Sequence, residues 1–127
     1  MKRKVKIIFD SVELDAELFD TPTADKIFKC LPFESEVRTW GEEVYFSTPV
    51  RTDLEKEARD VIEPGELAFW VEGNCIAIGF GKTPISQGNE IRLAAKTNIW
   101  AVTANNVREL TLVKDGENVR LVRAKEE

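Results

Sequence analysis

Short runs in which apolar and polar residues alternate recur along most of the 127 residues, and this pattern limits the chain to a fold built from half-buried strands. Residues 3–9 put Val5, Ile7 and Phe9 on one face. After a turn at Asp10 and Ser11, Val12, Leu14, Ala16 and Leu18 share a face, so the two runs predict a hairpin. Two further runs, FESEVRTW and EVYFSTPV, meet at Gly41, and in the second Val44 and Phe46 face one way while Tyr45 and Ser47 face the other. LAFWV and CIAIGF flank a tight turn at Glu72, Gly73 and Asn74 and predict a central hairpin. EIRLAAKTNIWAV, ELTLV and NVRLVR complete a set of about eight strands with few exposed edges, which favours closure over an open sheet. The expected fold is mainly β: a single domain over residues 1–127, forming a closed antiparallel eight-stranded barrel with one capping helix and a short second helical segment.

The helix is legible in TPTADKIFKCLPF. Thr21 can cap it, Pro22 occupies a first-turn position where no N–H is needed, and Asp25 suits the positive end of the helix dipole. Ala24, Ile27, Phe28 and Leu31 form one apolar stripe, and Pro32 stops the helix. RTDLEKEARDVI, residues 51–62, reads as a short helix or a connecting loop, and Ala104 to Val107 as one helical turn. The tail from Ala124 to Glu127 is expected to fray.

Composition removes several function classes. A net charge of −5 argues against a general nucleic-acid surface, and the short basic start at Lys2, Arg3 and Lys4 reads as a solvated strand flank. With no histidine and only two cysteines, the chain has no ordinary zinc ligand set and no Ser-His-Asp or Cys-His arrangement, so neither metal nor cofactor is expected. Cys30 and Cys75 sit in apolar surroundings and read as small buried hydrophobes. Abundant charged residues with a single glutamine and a single methionine match the bias of proteins from hot environments. No apolar run nears the roughly 18 to 20 residues of a membrane-spanning helix, and MKRKVKIIFD turns charged before a signal-type segment can form, so a cytoplasmic location is expected.

The segment IEPGELAFWVEGNCIAIGFGKTPIS resembles small atypical prokaryotic cyclophilin-like proteins. The matching pieces are Pro64-Gly65, the apolar strand from Leu67 to Trp70, the Gly73-Asn74 turn, the strand from Cys75 to Phe80, and Gly81 to Pro84; the order of the other elements agrees over nearly the whole length. The resemblance implies the barrel. Larger cyclophilins also catalyse rotation about the peptide bond before proline, against a barrier of about 18–20 kcal/mol. That chemistry needs a cationic donor near the proline nitrogen. The resemblance puts the donor arginine in a strand corresponding to VYFSTPVR, where Phe46 and Pro49 are present but Ser47 and Thr48 stand in place of the basic pair. Cys75 and Ala77 occupy positions where typical members present a glutamine and a phenylalanine, and Trp70 shares a face with Ala77. Arg51 and Arg38 are the candidate substitutes for the donor, each with the alternative reading of a surface residue in a mixed-charge face, and Glu72 is a candidate border of the same groove or simply a hairpin-turn residue.

The resulting expectation is a remodelled groove around Phe46, Arg51, Trp70, Glu72, Cys75 and Ala77 that binds a small molecule or a proline-containing peptide. The alternatives are a weak or atypical peptidyl-prolyl isomerase and a structural, self-associating module.

Overall fold

The expected first hairpin forms between β1 (Lys4–Phe9) and β2 (Glu13–Leu18), which pair antiparallel with Ile7 opposite Leu14. Its inward residues, Val5, Ile7, Phe9, Val12, Leu14, Ala16 and Leu18, are all buried. The computed structural model describes residues 3–124; Lys2 of the basic start and residues 125–127 of the expected frayed tail lie outside the described residues.

Helix α1 (Pro22–Cys30) follows as the capping pattern requires. The Thr21 hydroxyl accepts from the Ala24 N–H at 3.1 Å, and Ala24, Ile27 and Leu31 deliver their stripe to the barrel core. Then come β3 (Phe33–Glu36), β4 (Arg38–Thr39), β5 (Glu43–Ser47), β6 (Arg59–Ile62), β7 (Glu66–Trp70), β8 (Cys75–Gly79), β9 (Ile91–Thr103), a 3₁₀ helix (Val107–Leu112) and β10 (Asn118–Arg123).

The sheet order is β3-β10-β1-β2-β9-β7-β8-β5-β4, with β6 attached to β9 off this path. β3 and β4, the two ends of that order, are separated only by the buried Val37 and form one extended stretch that changes partner from β10 to β5. The two ends of the order thus meet in a nearly closed barrel with β6 outside it, and the strand count is slightly higher than the eight expected. Inside, Phe46, Phe69 and Trp100 are fully buried, and the Trp100 indole N–H donates to the Ala68 carbonyl at 3.2 Å. Burying each such ring contributes about 2–3 kcal/mol.

Two sequence expectations change. Of the two readings for residues 51–62 the connecting loop forms and the helix does not, but the loop ends in a strand, β6, whose charges are ion-paired along the surface, Arg59 with Glu66 and Asp60 with Arg92. ELTLV is not a strand. It lies in the 3₁₀ helix, capped by the Asn106 side chain accepting from the Arg108 N–H, with Leu110 buried and Leu112 exposed.

The strand that positions the site is β9. Its C-terminal half runs in the barrel wall between β2 and β7, while its N-terminal half leaves the wall and pairs with β6, Ile62 opposite Ile91. This β6–β9 arm folds over the outer face of β7 and β8 and buries a second small core of Ile62, Ala68, Ala77, Ile91 and Leu93. Gly79 makes the close approach possible, because a Cβ there would meet Ile91 Cγ2 at 2.4 Å. That branched methyl lies close to its own backbone and cannot swing away. Gly79→Ala is expected to cost about 1–3 kcal/mol, measured by denaturant unfolding; an unchanged midpoint would mean that the arm adapts freely. No helix among the described residues is long and apolar enough to cross a membrane.

Candidate functional site

Strand alternation gives the barrel wall two faces with different roles. Val44 and Phe46 on β5 and Ile76 and Ile78 on β8 fill the interior, so Glu43, Tyr45, Cys75 and Ala77 face outward, as do Ala68 and Trp70 on β7. Between this outer face and the β6–β9 arm lies a cavity of about 310 Å³ lined by Trp40, Glu43, Tyr45, Trp70, Ala77, Leu93, Ala94, Ala95 and Thr97.

Local structure fixes the aromatic walls. Trp40 and Glu43 end a tight turn closed by the Trp40 N–H donating to the Glu43 carbonyl at 3.0 Å, with Gly41 in the left-handed region at φ 59°. A Cβ on Gly41 would sit 2.8 Å from Pro84 Cδ, so glycine also lets this turn lie against the Gly81 to Pro84 segment. The neighbouring Glu42 is held there by three contacts: its N–H donates to Lys82 O, its side chain accepts from the Lys82 N–H, and it pairs with Arg108 at 2.8 Å. Glu42 is thereby turned away from its neighbour's environment. Trp70 lies over the β7–β8 turn, where a Cβ on Gly73 would meet its ring at 2.3 Å.

Glu43 is the chemically unusual member. Its side chain is only 6% exposed, its Oε1 is buried without a hydrogen-bond partner, and the residue opposite it on β8 is Gly79, which offers no side chain. Burial pushes its carboxyl up to about 7, because a charge held among apolar walls loses its hydration. The Cys75 thiol, hydrogen-bonded to the Gly73 carbonyl at 3.2 Å, is also raised, first by burial and then by the charge of Glu43. Among the described residues, the lining contains no lysine or arginine.

Of the residues marked in sequence, Trp70 and Ala77 line the cavity, on the same face as expected, and Cys75 stands opposite Trp70 beside it. Phe46 does not. It points into the barrel and meets the Phe9 ring edge-to-face at 6.4 Å, because period-two alternation puts it on the opposite face from Tyr45. Arg51 is exposed, with its carbonyl bonded to Lys26, and Glu72 is an exposed turn residue; neither reaches the cavity. Arg38 is exposed and pairs with Glu36 at 3.5 Å. Thr48 braces the structure, its hydroxyl donating to the Asn74 carbonyl and accepting from the Val50 N–H, whereas Ser47 is exposed.

The cavity also takes in Trp40, Glu43 and Tyr45, to which no motif in the sequence points. The alternation that places Tyr45 outward places Glu43 beside it. What the sequence lacks is any sign that the arm buries that carboxyl, since the covering residues come from β9, some fifty positions later.

Residues 3–122 match the family model described as Cyclophilin-like. A hypothetical protein from Archaeoglobus fulgidus, known from a solution structure, is 38% identical, with 97% of this chain and 95% of that chain covered and a TM-score of 0.83. McbB, solved in complex with tryptophan, has a TM-score of 0.69 at 13% identity; this chain spans 45% of its length, and the likeness is one of fold. No curated protein matches the chain.

Proposed function

The chain belongs to the cyclophilin-like family, and from that premise we propose that it binds a small organic molecule in the cavity between the outer barrel face and the β6–β9 arm. The observation that carries this reading is the lining itself: three aromatic side chains and the buried Glu43, whose Oε1 has no hydrogen-bond partner, converge on a single space of about 310 Å³. Such a volume is at the small end of ligand pockets, about 300–1,000 Å³, and suits one ring or one compact head group. An extended peptide would have to leave most of its length outside.

A prolyl isomerase would require a cationic donor at the groove. The arginines placed for that role in sequence lie elsewhere, Arg38 against Glu36 and Arg51 in solvent, so binding is the better-supported activity. Self-association has less to rest on, because the exposed large apolar side chains Phe19, Leu54, Ile85 and Leu112 lie on four separate connections.

A thermal-shift screen of single-ring and short aliphatic compounds tests the reading. A ligand present at 100 times its Kd stabilises the fold by about 2.7 kcal/mol, a readily measured rise in melting temperature. Trp70→Ala is expected to weaken the hits at least tenfold. If no compound raises the melting temperature, or if the hits bind equally well to Trp70→Ala, the cavity is not the binding site.

A further inference from the structure

Resting on that reading of the cavity, we propose that its ligand is an organic cation, specifically an alkylated ammonium group seated among Trp40, Tyr45 and Trp70 and facing the Glu43 carboxylate. The three aromatic residues come from different places, Trp40 from the β4–β5 turn, Tyr45 from β5 and Trp70 from the end of β7, yet all line one cavity with Glu43. Aromatic faces carry negative electrostatic potential and attract a cation most strongly where water is excluded. A carboxylate adds a full opposite charge. With no lysine or arginine in the lining among the described residues, none of them competes there for Glu43 or attracts an anion.

The apolar share of the lining narrows the class. A bare primary ammonium brings three N–H donors and no apolar surface, whereas beyond the Glu43 carboxylate and the Tyr45 and Thr97 hydroxyl oxygens the lining is the three aromatic rings with Ala77, Leu93, Ala94 and Ala95. Alkyl groups on the nitrogen replace N–H donors with apolar surface, which these walls and rings can cover. A neutral ligand of the same shape would gain the apolar contacts and offer the Glu43 carboxylate no opposite charge.

The other groups facing Glu43 do not pre-empt this role. Tyr45 lies two residues along β5, Cys75 lies on β8, Arg38 on β4 pairs with Glu36, Arg92 on β9 pairs with Glu90 and Asp60, and Lys96 is exposed. A bound cation favours the ionised form of Glu43, so binding expels its proton wherever the empty site is protonated.

Calorimetric titration with choline and with its uncharged isostere 3,3-dimethylbutan-1-ol, at pH 8 on the full chain, tests the proposal without any variant. Choline is expected to bind at least tenfold more tightly. In Glu43→Gln that preference should shrink to threefold or less, and the choline affinity, which in the wild type falls towards pH 5, should become flat with pH. Equal binding of the two probes, or tighter binding of the alcohol, overturns the cation proposal and leaves small-molecule binding intact. Failure of both probes while the screen yields Trp70-dependent ligands has the same consequence. Failure of both probes and of the screen overturns both readings.

Discussion

Glu43→Gln is expected to raise the melting temperature by about 10 °C at pH 8 and to leave it close to the wild-type value at pH 4.5. In the folded protein the Glu43 carboxyl titrates near 7, against 4.5 in the unfolded chain, because burial opposes its charge. Between those two values the unfolded state has released the proton and the folded state still holds it. Stability therefore falls as pH rises from 4.5 to 7, by about 3 kcal/mol in all, and is flat above 7 where both states are ionised. Glutamine has nearly the same shape and never ionises. The difference between variant and wild type should open across this window and stay constant above it. Thermal unfolding curves from pH 4 to 9 provide the check, and parallel curves for the two proteins would show that Glu43 is hydrated after all. A protein that retains an ionisable group at such a cost to its own fold at neutral pH has a carboxyl placed for something other than stability.

Asn98→Ala is expected to remove about 3 kcal/mol at every pH, lowering the melting temperature by about 10 °C. Asn98 is fully buried on β9 and serves both ends of its amide: Nδ2 donates to Thr23 Oγ1 and to the Asp53 carbonyl, each at 2.9 Å, and Oδ1 accepts from the Glu55 N–H at 2.8 Å. The Glu55 carboxylate continues the network by accepting from the Thr23 N–H at the start of α1. Alanine leaves several buried polar groups without partners at once, which is why the expected loss exceeds that of one hydrogen bond. Asn98→Asp separates geometry from size. It keeps the acceptor for Glu55 N–H but offers no donor to Thr23 or Asp53, and it sets a second carboxylate near Glu55, so it should be no better than alanine. A loss below 1 kcal/mol for either variant would mean that the 51–58 loop is held by other contacts.

What could be read from the sequence follows from where each signal is stored. The β1–β2 hairpin, the Thr21 cap with Pro22, and the β7–β8 hairpin are local patterns, each set by residues within a few positions of one another, and all three form as the alternation and capping rules require. Leu110 and Leu112 mimic a strand by alternating, but the Asn106 cap draws them into a 3₁₀ helix. β6 is masked by its charges, which read as a solvated loop because their partners Glu66 and Arg92 lie on other strands. The site divides in the same way. Trp70 and Ala77 belong to one local hairpin and were legible together, whereas Glu43 looks like any turn acid until residues 93–97 are folded across it. Phe46 illustrates the reverse error: position relative to a familiar motif pointed to the groove, while simple alternation already assigned it to the core.

β9 is a single unbroken strand of thirteen residues, half of it barrel wall and half of it roof over the cavity. Within the roof its register against β6 shifts between the Val61–Arg92 and Arg59–Thr97 pairs, so residues 93–96 depart from regular pairing. Where wall and roof join, the Thr97 hydroxyl is tied to β6 and the Asn98 amide to α1 and the 51–58 loop. The cavity's roof and the helical cap are thus anchored at adjacent residues of one strand.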